Sequence, residues 1–165
     1  MRSAVGGIWL YGMVITFILF FVAFLAITAN YTKAYRVKNE VVSFIEREEG
    51  MTNRSVGLIN GYLQSNAHFA KGSCDTDKGW AGVWDLNSTG SAGLDINPGG
   101  KKYYYCIRKM KVKDDPLHPN KVYYEVKLFF AFDIPVLGSF LNMNVYGTTG
   151  QIVNPAKEDK LVPGN

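Results

Sequence analysis

The hydrophobic pattern of the chain changes character twice. From Ser3 to Thr32 no side chain is charged, and Ile8 to Ala29 is almost wholly apolar. Between Ala34 and Glu49 apolar and charged positions interleave with helical period, and beyond Lys101 they alternate with period two. The first block exceeds the roughly 20 residues needed to cross a bilayer core. It also exceeds the apolar region of a cleaved signal peptide, about 7–15 residues. One transmembrane helix is therefore expected within residues 1–30, leaving 31–165 as an α+β body.

At about 100° per residue, Ala34, Tyr35, Val37, Val41, Val42, Phe44 and Ile45 fall on one half of a helical wheel. Arg36, Asn39, Glu40, Ser43, Glu46 and Arg47 occupy the other half, and Lys38 is an exception on the apolar side. Proline is absent from this stretch and glycine enters only at Gly50, a natural stop. The pattern predicts one helix from about Val5 to Glu49, roughly 65–70 Å long. Its first half is apolar all round, and its second half has one face to cover. A weaker helix follows, capped by Thr52 or Asn53, with Val56, Ile59 and Leu63 at helical spacing. Its Gly57 and Gly61 either permit close approach to the first helix or simply make the second marginal.

Residues 71–101 read as a long connection rich in turn signals, which Trp80, Val83 and Trp84 are placed to pin down. "KKYYYCIRKMKV" and "KVYYEVKLFFAF" read as strands around a "DDPLHPN" turn. In the second strand Val122, Tyr124, Val126, Leu128, Phe130 and Phe132 point one way, and Tyr123, Glu125 and Lys127 the other. A third strand, about Asn142 to Val153, is expected after the "DIPVLGSF" connector, because Pro135 cannot sit inside a ladder. The helix stripe from Ala34 to Ile45 then covers the apolar face of a small antiparallel sheet.

Charge and cysteine content narrow the function. The net charge of +4 arises from basic residues scattered among acids, so no nucleic-acid footprint is expected. Counting lysines and arginines beside the apolar block would place the body in the cytoplasm, but that rule weakens for long translocated segments. Cys74 and Cys106 form the only cysteine pair, and a disulfide between them would close the long loop on the oxidising side of the membrane; two buried free thiols are the alternative. The body is accordingly expected to be extracytoplasmic. A redox role would call for C-x-x-C, which is absent.

The sequence offers little for catalysis. His68 and His118 lack nearby catalytic partners, and adjacent Asp114 and Asp115 diverge on a turn. No nucleophile elbow, zinc-protease motif or phosphate loop occurs. No catalytic, cofactor or metal site is assigned. "DTDKG", Asp75 to Gly79, has the alternating oxygens of a calcium loop that Asp85 or Asn87 would extend; a solvated acidic turn is the simpler reading.

A long N-terminal helix, half in the membrane and half on a small sheet, resembles the plan of type IV pilins and pseudopilins. "VKLFFAFDIPVLGSFLNMNVYGTTGQIV" is similar to the C-terminal end of TadE-like minor pilins of tight-adherence pili. The residue-level likeness covers Lys127–Val153. The resemblance implies a structural subunit that packs against other pilin or pseudopilin subunits, within the lipid bilayer or in a surface filament. Pilins commonly carry a glutamate five residues beyond a small residue at the processing point. Here Tyr11 and Gly12 stand in that place, and no acid precedes Glu40, so cleavage and the role of that glutamate do not carry over. The residues expected to pack helices are Gly6, Gly7, Gly12, Ala23 and Ala26 in the apolar half, and Val37, Val41, Phe44 and Ile45 in the amphipathic half. An anchored extracytoplasmic binding module is the alternative, and an anchored hydrolase stands third.

Overall fold

The structure is a computed structural model that describes residues 2–66, 70–75, 79–88, 93–96, 98–112, 120–134, 138–153 and 155. Helix α1 runs without interruption from Arg2 to Arg47, 46 residues, or about 69 Å at 1.5 Å per residue. Between Gly12 and Gly50 the sequence contains neither glycine nor proline, so nothing removes an intrahelical bond or loosens the backbone. The helix ends in a reciprocal pair of bonds. Gly50 N–H donates to the Ile45 carbonyl (2.9 Å) and Glu49 N–H to that of Glu46 (3.2 Å). Gly50 is thus the third residue past Arg47, with φ 140°, while Glu49 before it takes the left-handed position at φ 52°. Helix α2, Asn53–Asn66, follows at once. Its cap is Thr52: Ser55 N–H donates to Thr52 Oγ1 (3.1 Å), and Thr52 N–H donates back to Ser55 Oγ (2.9 Å).

Five antiparallel strands form one sheet in the order β2-β1-β3-β4-β5. They are β1 (Ala81–Val83), β2 (Leu94–Asp95), β3 (Tyr105–Lys111), β4 (Val122–Ile134) and β5 (Gly138–Thr148). The two short strands lie inside the connection expected to be all loop, where their ladder onto β3 satisfies backbone groups that the sequence signals assigned to turns. Strand β5 begins four residues before the expected Asn142. Ile134 pairs with Gly138, so the "DIPVLGSF" stretch is mostly ladder, and its residues 135–137 lie outside those described, as does the "DDPLHPN" turn from 113 to 119. Past Thr148 the chain leaves the ladder, and Thr149 Oγ1 accepts from Tyr124 N–H (2.9 Å) in place of a backbone partner. Pairing resumes at Ile152 opposite Val122.

The two helices cover one face of the sheet. Ala34, Val37, Val41 and Ile45, spaced three and four apart, are at most 2% exposed and pack in one cluster with Val122, Tyr124, Val126, Leu128 and Phe130. Helix α1 lies over β4 and β5 and beside α2, where Phe44 meets Tyr62 edge-to-face at 5.6 Å. At Gly147 β5 lies close against α1: a Cβ there would lie 2.9 Å from Lys38 Cδ and 3.1 Å from Val42 Cγ2. The exceptional Lys38 is thereby explained. Its aliphatic stem lies across Gly147, and its ammonium sits 4.3 Å above the Tyr35 ring. A second tie closes the far end, where Gly150 N–H donates to Glu46 Oε1 (2.6 Å).

Some expected contacts are not made. Tyr35 is exposed, because the face that meets the sheet is narrower than half the wheel, and Ser43, expected on the open face, is half-buried. Trp84 is exposed, and the connection is pinned instead by Trp80, Ala81, Val83 and Leu86. Gly57 and Gly61 have open space around them, so they weaken α2 without admitting a neighbour.

Two predictions follow from the spine. Val41→Asp buries an unpaired carboxylate and costs several kcal/mol, enough to unfold the body, whereas Asn39→Asp on the exposed face stays within about 0.5 kcal/mol; urea unfolding of the two variants checks this. Glu49→Gly relieves a left-handed side chain and raises stability by about 1 kcal/mol in the same assay.

Candidate functional site

The most exposed apolar surface of the molecule is the first half of α1. Ile8, Trp9, Phe17 and Phe20 are each more than 70% exposed. The 18-residue window of highest mean hydropathy, 2.6, has no part buried inside the protein. By length and composition this is the one described helix able to cross a membrane. Its polar side chains are adapted to a dry setting. Thr16, Thr28 and Thr32 donate their hydroxyls to the carbonyls of Gly12, Phe24 and Thr28, four residues back, at 2.8–2.9 Å.

Small residues are not spread evenly around this surface. Gly12, Ala23 and Ala26 fall within about 60° of one another on the helix, in the same sector as Val37 and Val41. The seam that meets the sheet in the second half of α1 continues into the apolar half through Gly12, Ala23 and Ala26, interspersed with Ile8, Leu19 and Asn30 in the same sector. Around Gly12 the surface forms an open groove of about 760 Å³ flanked by Trp9, Phe17 and Phe20. Gly7 lies off this sector with open space about it; of Gly6 only the helical backbone is described. Ala23 and Ala26 are half-buried. Of the four residues expected to pack in the second half, Val37, Val41 and Ile45 are buried in the body, and Phe44 is partly buried against Tyr62.

The opposite face of the sheet carries a second, smaller cluster: Cys74, Trp80, Tyr103, Cys106 and Phe129. Cys74 and Cys106 are joined as a disulfide, with Cα atoms 5.7 Å apart and a separation of 32 positions in sequence. The alternation along β4 had marked this face as wet, yet Phe129 is buried here, with Gly72 lying against its ring. Close approach explains two glycines. A Cβ on Gly72 would strike the Phe129 ring at 2.2 Å, and one on Gly82 the Tyr103 ring at 2.4 Å. Arg108 completes the layer, its guanidinium 5.1 Å from the Trp80 ring centre and paired with Glu125 on the next strand.

A buried polar chain links the layers. The fully buried Tyr105 donates its O–H to Asn60 Oδ1 (2.9 Å), and Asn60 Nδ2 donates to the Ser88 carbonyl (3.2 Å). Burial pushes the Tyr105 phenol well above its ordinary range, so it remains a neutral donor. Nothing in the sequence pattern singled out Asn60, Gly72 or Gly82. The dense aromatic runs "GWAGVW" and "KKYYYC" were the available signal, since rings crowded on neighbouring strands require small partners.

Of the residues weighed for chemistry, His68, His118, Asp114, Asp115 and Asp77 lie outside the described residues. Asp85 and Asn87 are built into a turn: Asn87 N–H donates to Asp85 Oδ1 (2.9 Å), and Asn87 Oδ1 accepts from Gln64 Nε2 (3.1 Å). Among the described residues no three His, Cys, Asp or Glu side chains converge as metal ligands.

These elements define an α+β protein in which a long apolar helix extends from a two-layer body. No family model, no curated protein and no solved structure matches the chain.

The disulfide closes a loop whose unfolded freedom it removes, a stabilisation of about 3–4 kcal/mol in the chain-entropy model. Denaturant unfolding of the oxidised and reduced chains should differ by that amount. Equal midpoints would show that the outer cluster holds the 70–80 segment without the bond.

Proposed function

We propose that the chain is a structural, minor pilin-like or pseudopilin-like subunit of a tight-adherence or type IV-like filament, anchored by α1 with the body extracytoplasmic. The observation that carries this reading is the continuity of α1. A membrane anchor needs only apolar bulk, because lipid tails are as apolar as leucine. Here the apolar half continues without a break from the half fixed on the sheet, and the small residues Gly12, Ala23 and Ala26 are in phase with that fixed face. A helix so held presents a defined surface to other helices at a defined angle to the body. Close approach at small residues is what lateral helix packing in a membrane or filament requires.

The Cys74–Cys106 disulfide supports an oxidising environment for the body, hence the extracytoplasmic side. The partners in this reading are the bilayer and other pilin-like subunits.

Replacing residues 5–29 with an unrelated apolar helix of equal length tests the proposal. Membrane level and folding should be preserved, while incorporation into filaments, read by co-purification of pilin-like subunits from the native host, should be lost. Normal incorporation of the swapped chain would reduce α1 to an anchor and favour an anchored binding module.

A further inference from the structure

Strand β5 ends the sheet on one side, and among the described residues no strand pairs with its outer edge. The hydrogen-bond phase of the ladder decides which groups face that edge. Val122 exchanges bonds with Ile152, and Tyr124 with Thr149, so the even-numbered residues of β4 turn their backbone groups toward β5. The odd-numbered ones turn toward β3, as Phe129 N–H does in donating to the Tyr104 carbonyl (3.4 Å). Val126, Leu128 and Phe130 stand opposite Gly147, Val145 and Met143, which therefore bond inward. The backbone groups of Asn142, Asn144, Tyr146 and Thr148 face outward instead, and their side chains are exposed on the outer face of the sheet.

Sheet edges are ordinarily guarded by charges, prolines or bulges, because a row of unpaired groups invites another strand. From Gly138 to Thr148 β5 contains no charged residue and no proline, and its register with β4 is regular from Leu141 to Thr148. The opposite edge of the sheet, β2, has only two residues. The long edge is the unguarded one.

The two faces beside this edge differ in chemistry. At about 100° per residue, Tyr35, Lys38 and Val42 lie on the flank of α1 away from Phe44, which meets α2. Lys38 and Val42 approach Gly147, so this flank stands over β5. It leaves Val42 half-buried and Tyr35 exposed. On the outer face lies a cleft of about 220 Å³, lined by residues 70–73 with Lys127, Phe129, Asn142 and Asn144. Its lining includes two lysines and two amides but no acid. Lys127 Nζ lies 5.3 and 5.7 Å from the Phe129 and Tyr146 ring centres and makes one long bond, 3.4 Å, to the Ser73 carbonyl. Lys71 Nζ stands 4.4 Å from the Tyr104 ring. Among the described residues neither ammonium is paired with an acid.

Direction excludes a second copy of the chain as the occupant. Two β5 strands pairing antiparallel about a twofold axis perpendicular to the sheet would put both α1 helices on one face, running in opposite directions. Their apolar halves would leave from opposite ends of the pair and could not enter one membrane together. This step alone rests on the membrane-spanning reading of α1. We propose that β5 accepts an extended acidic segment of a partner protein as a sixth strand, its alternate side chains apolar toward Val42 and acidic toward the cleft. Main-chain bonds to Asn142, Asn144 and Tyr146 supply the affinity, and Lys71 and Lys127 select the charge.

Amide hydrogen exchange of the full chain in a sugar-headgroup detergent tests this, with a blocked seven-residue peptide of alternating valine and glutamate as the probe. In the free chain the N–H groups of Asn144 and Tyr146 should exchange quickly and those of Val145 and Gly147 slowly. The peptide should slow Asn144 and Tyr146 about tenfold. Lys71→Gln and Lys127→Gln should each weaken its binding about fivefold. Asn144→Pro removes an outward N–H but no ladder bond, so it should abolish binding while Val145 stays protected. No response to the peptide, or an equal response to its glutamine version, would overturn the acidic partner. The same response to glutarate would leave an anion cleft and overturn the strand. Protection of Asn144 and Tyr146 without peptide would also overturn the proposal: at all protein concentrations it means that the chain covers its own edge, and rising with concentration it means a second copy. Filament incorporation is read separately, so none of these outcomes decides it.

Discussion

The seating of α1 on the sheet depends on a close approach at Gly147. A side chain there would meet the stem of Lys38 and the methyls of Val42, so glycine lets the helix settle onto β5. The stripe of Ala34, Val37, Val41 and Ile45 can then close over the apolar side of β4, and Glu46 reaches the amide of Gly150. The combined burial converts an amphipathic half-helix, marginal by itself, into a fixed element. Because the backbone of α1 has no break, the apolar half inherits that fixation. Its direction is set by the sheet, and its rotation by the phase of the buried stripe.

The opposite face of the sheet answers a different constraint. A body of this size has a limited core, and its long connection from β1 back to β3 adds entropy that packing must offset. Two short strands, the disulfide and the ring-on-glycine contacts at Gly72 and Gly82 accomplish this together. The outer cluster also walls the cleft beside Lys127.

The elements with strong periodicity were legible in the sequence. The long helix, its unbroken passage beyond the apolar block, the stripe that buries and the alternation along β4 all follow from spacing alone. What the sequence concealed depends on tertiary partners. Strands β1 and β2 are too short to show a period and exist only because β3 offers an edge. Phe129 breaks the alternation because a distant segment folds over it. Glu49 takes the left-handed position although Gly50 stands next to it, since the paired end bonds fix which residue occupies each place. The small residues Gly12, Ala23 and Ala26 could be named from sequence; that they lie in phase with the sheet-facing stripe emerges only when the helix is continuous. The full length of β4 and β5 was hidden for a similar reason: "DIPVLGSF" contains the proline and glycine of a connector, yet Ile134 and Gly138 within it are paired.

Continuity of α1 is thus the central claim, and a distance measurement tests it directly. Spin labels at Phe20, in the apolar half, and Arg47, at the end of the half on the sheet, are separated by 27 residues. In the membrane-embedded chain an unbroken helix gives one narrow distribution centred near 40 Å. A broad distribution, or one centred well below that value, would mean that the helix bends or melts where it leaves the apolar block, and that the sheet does not orient the apolar half.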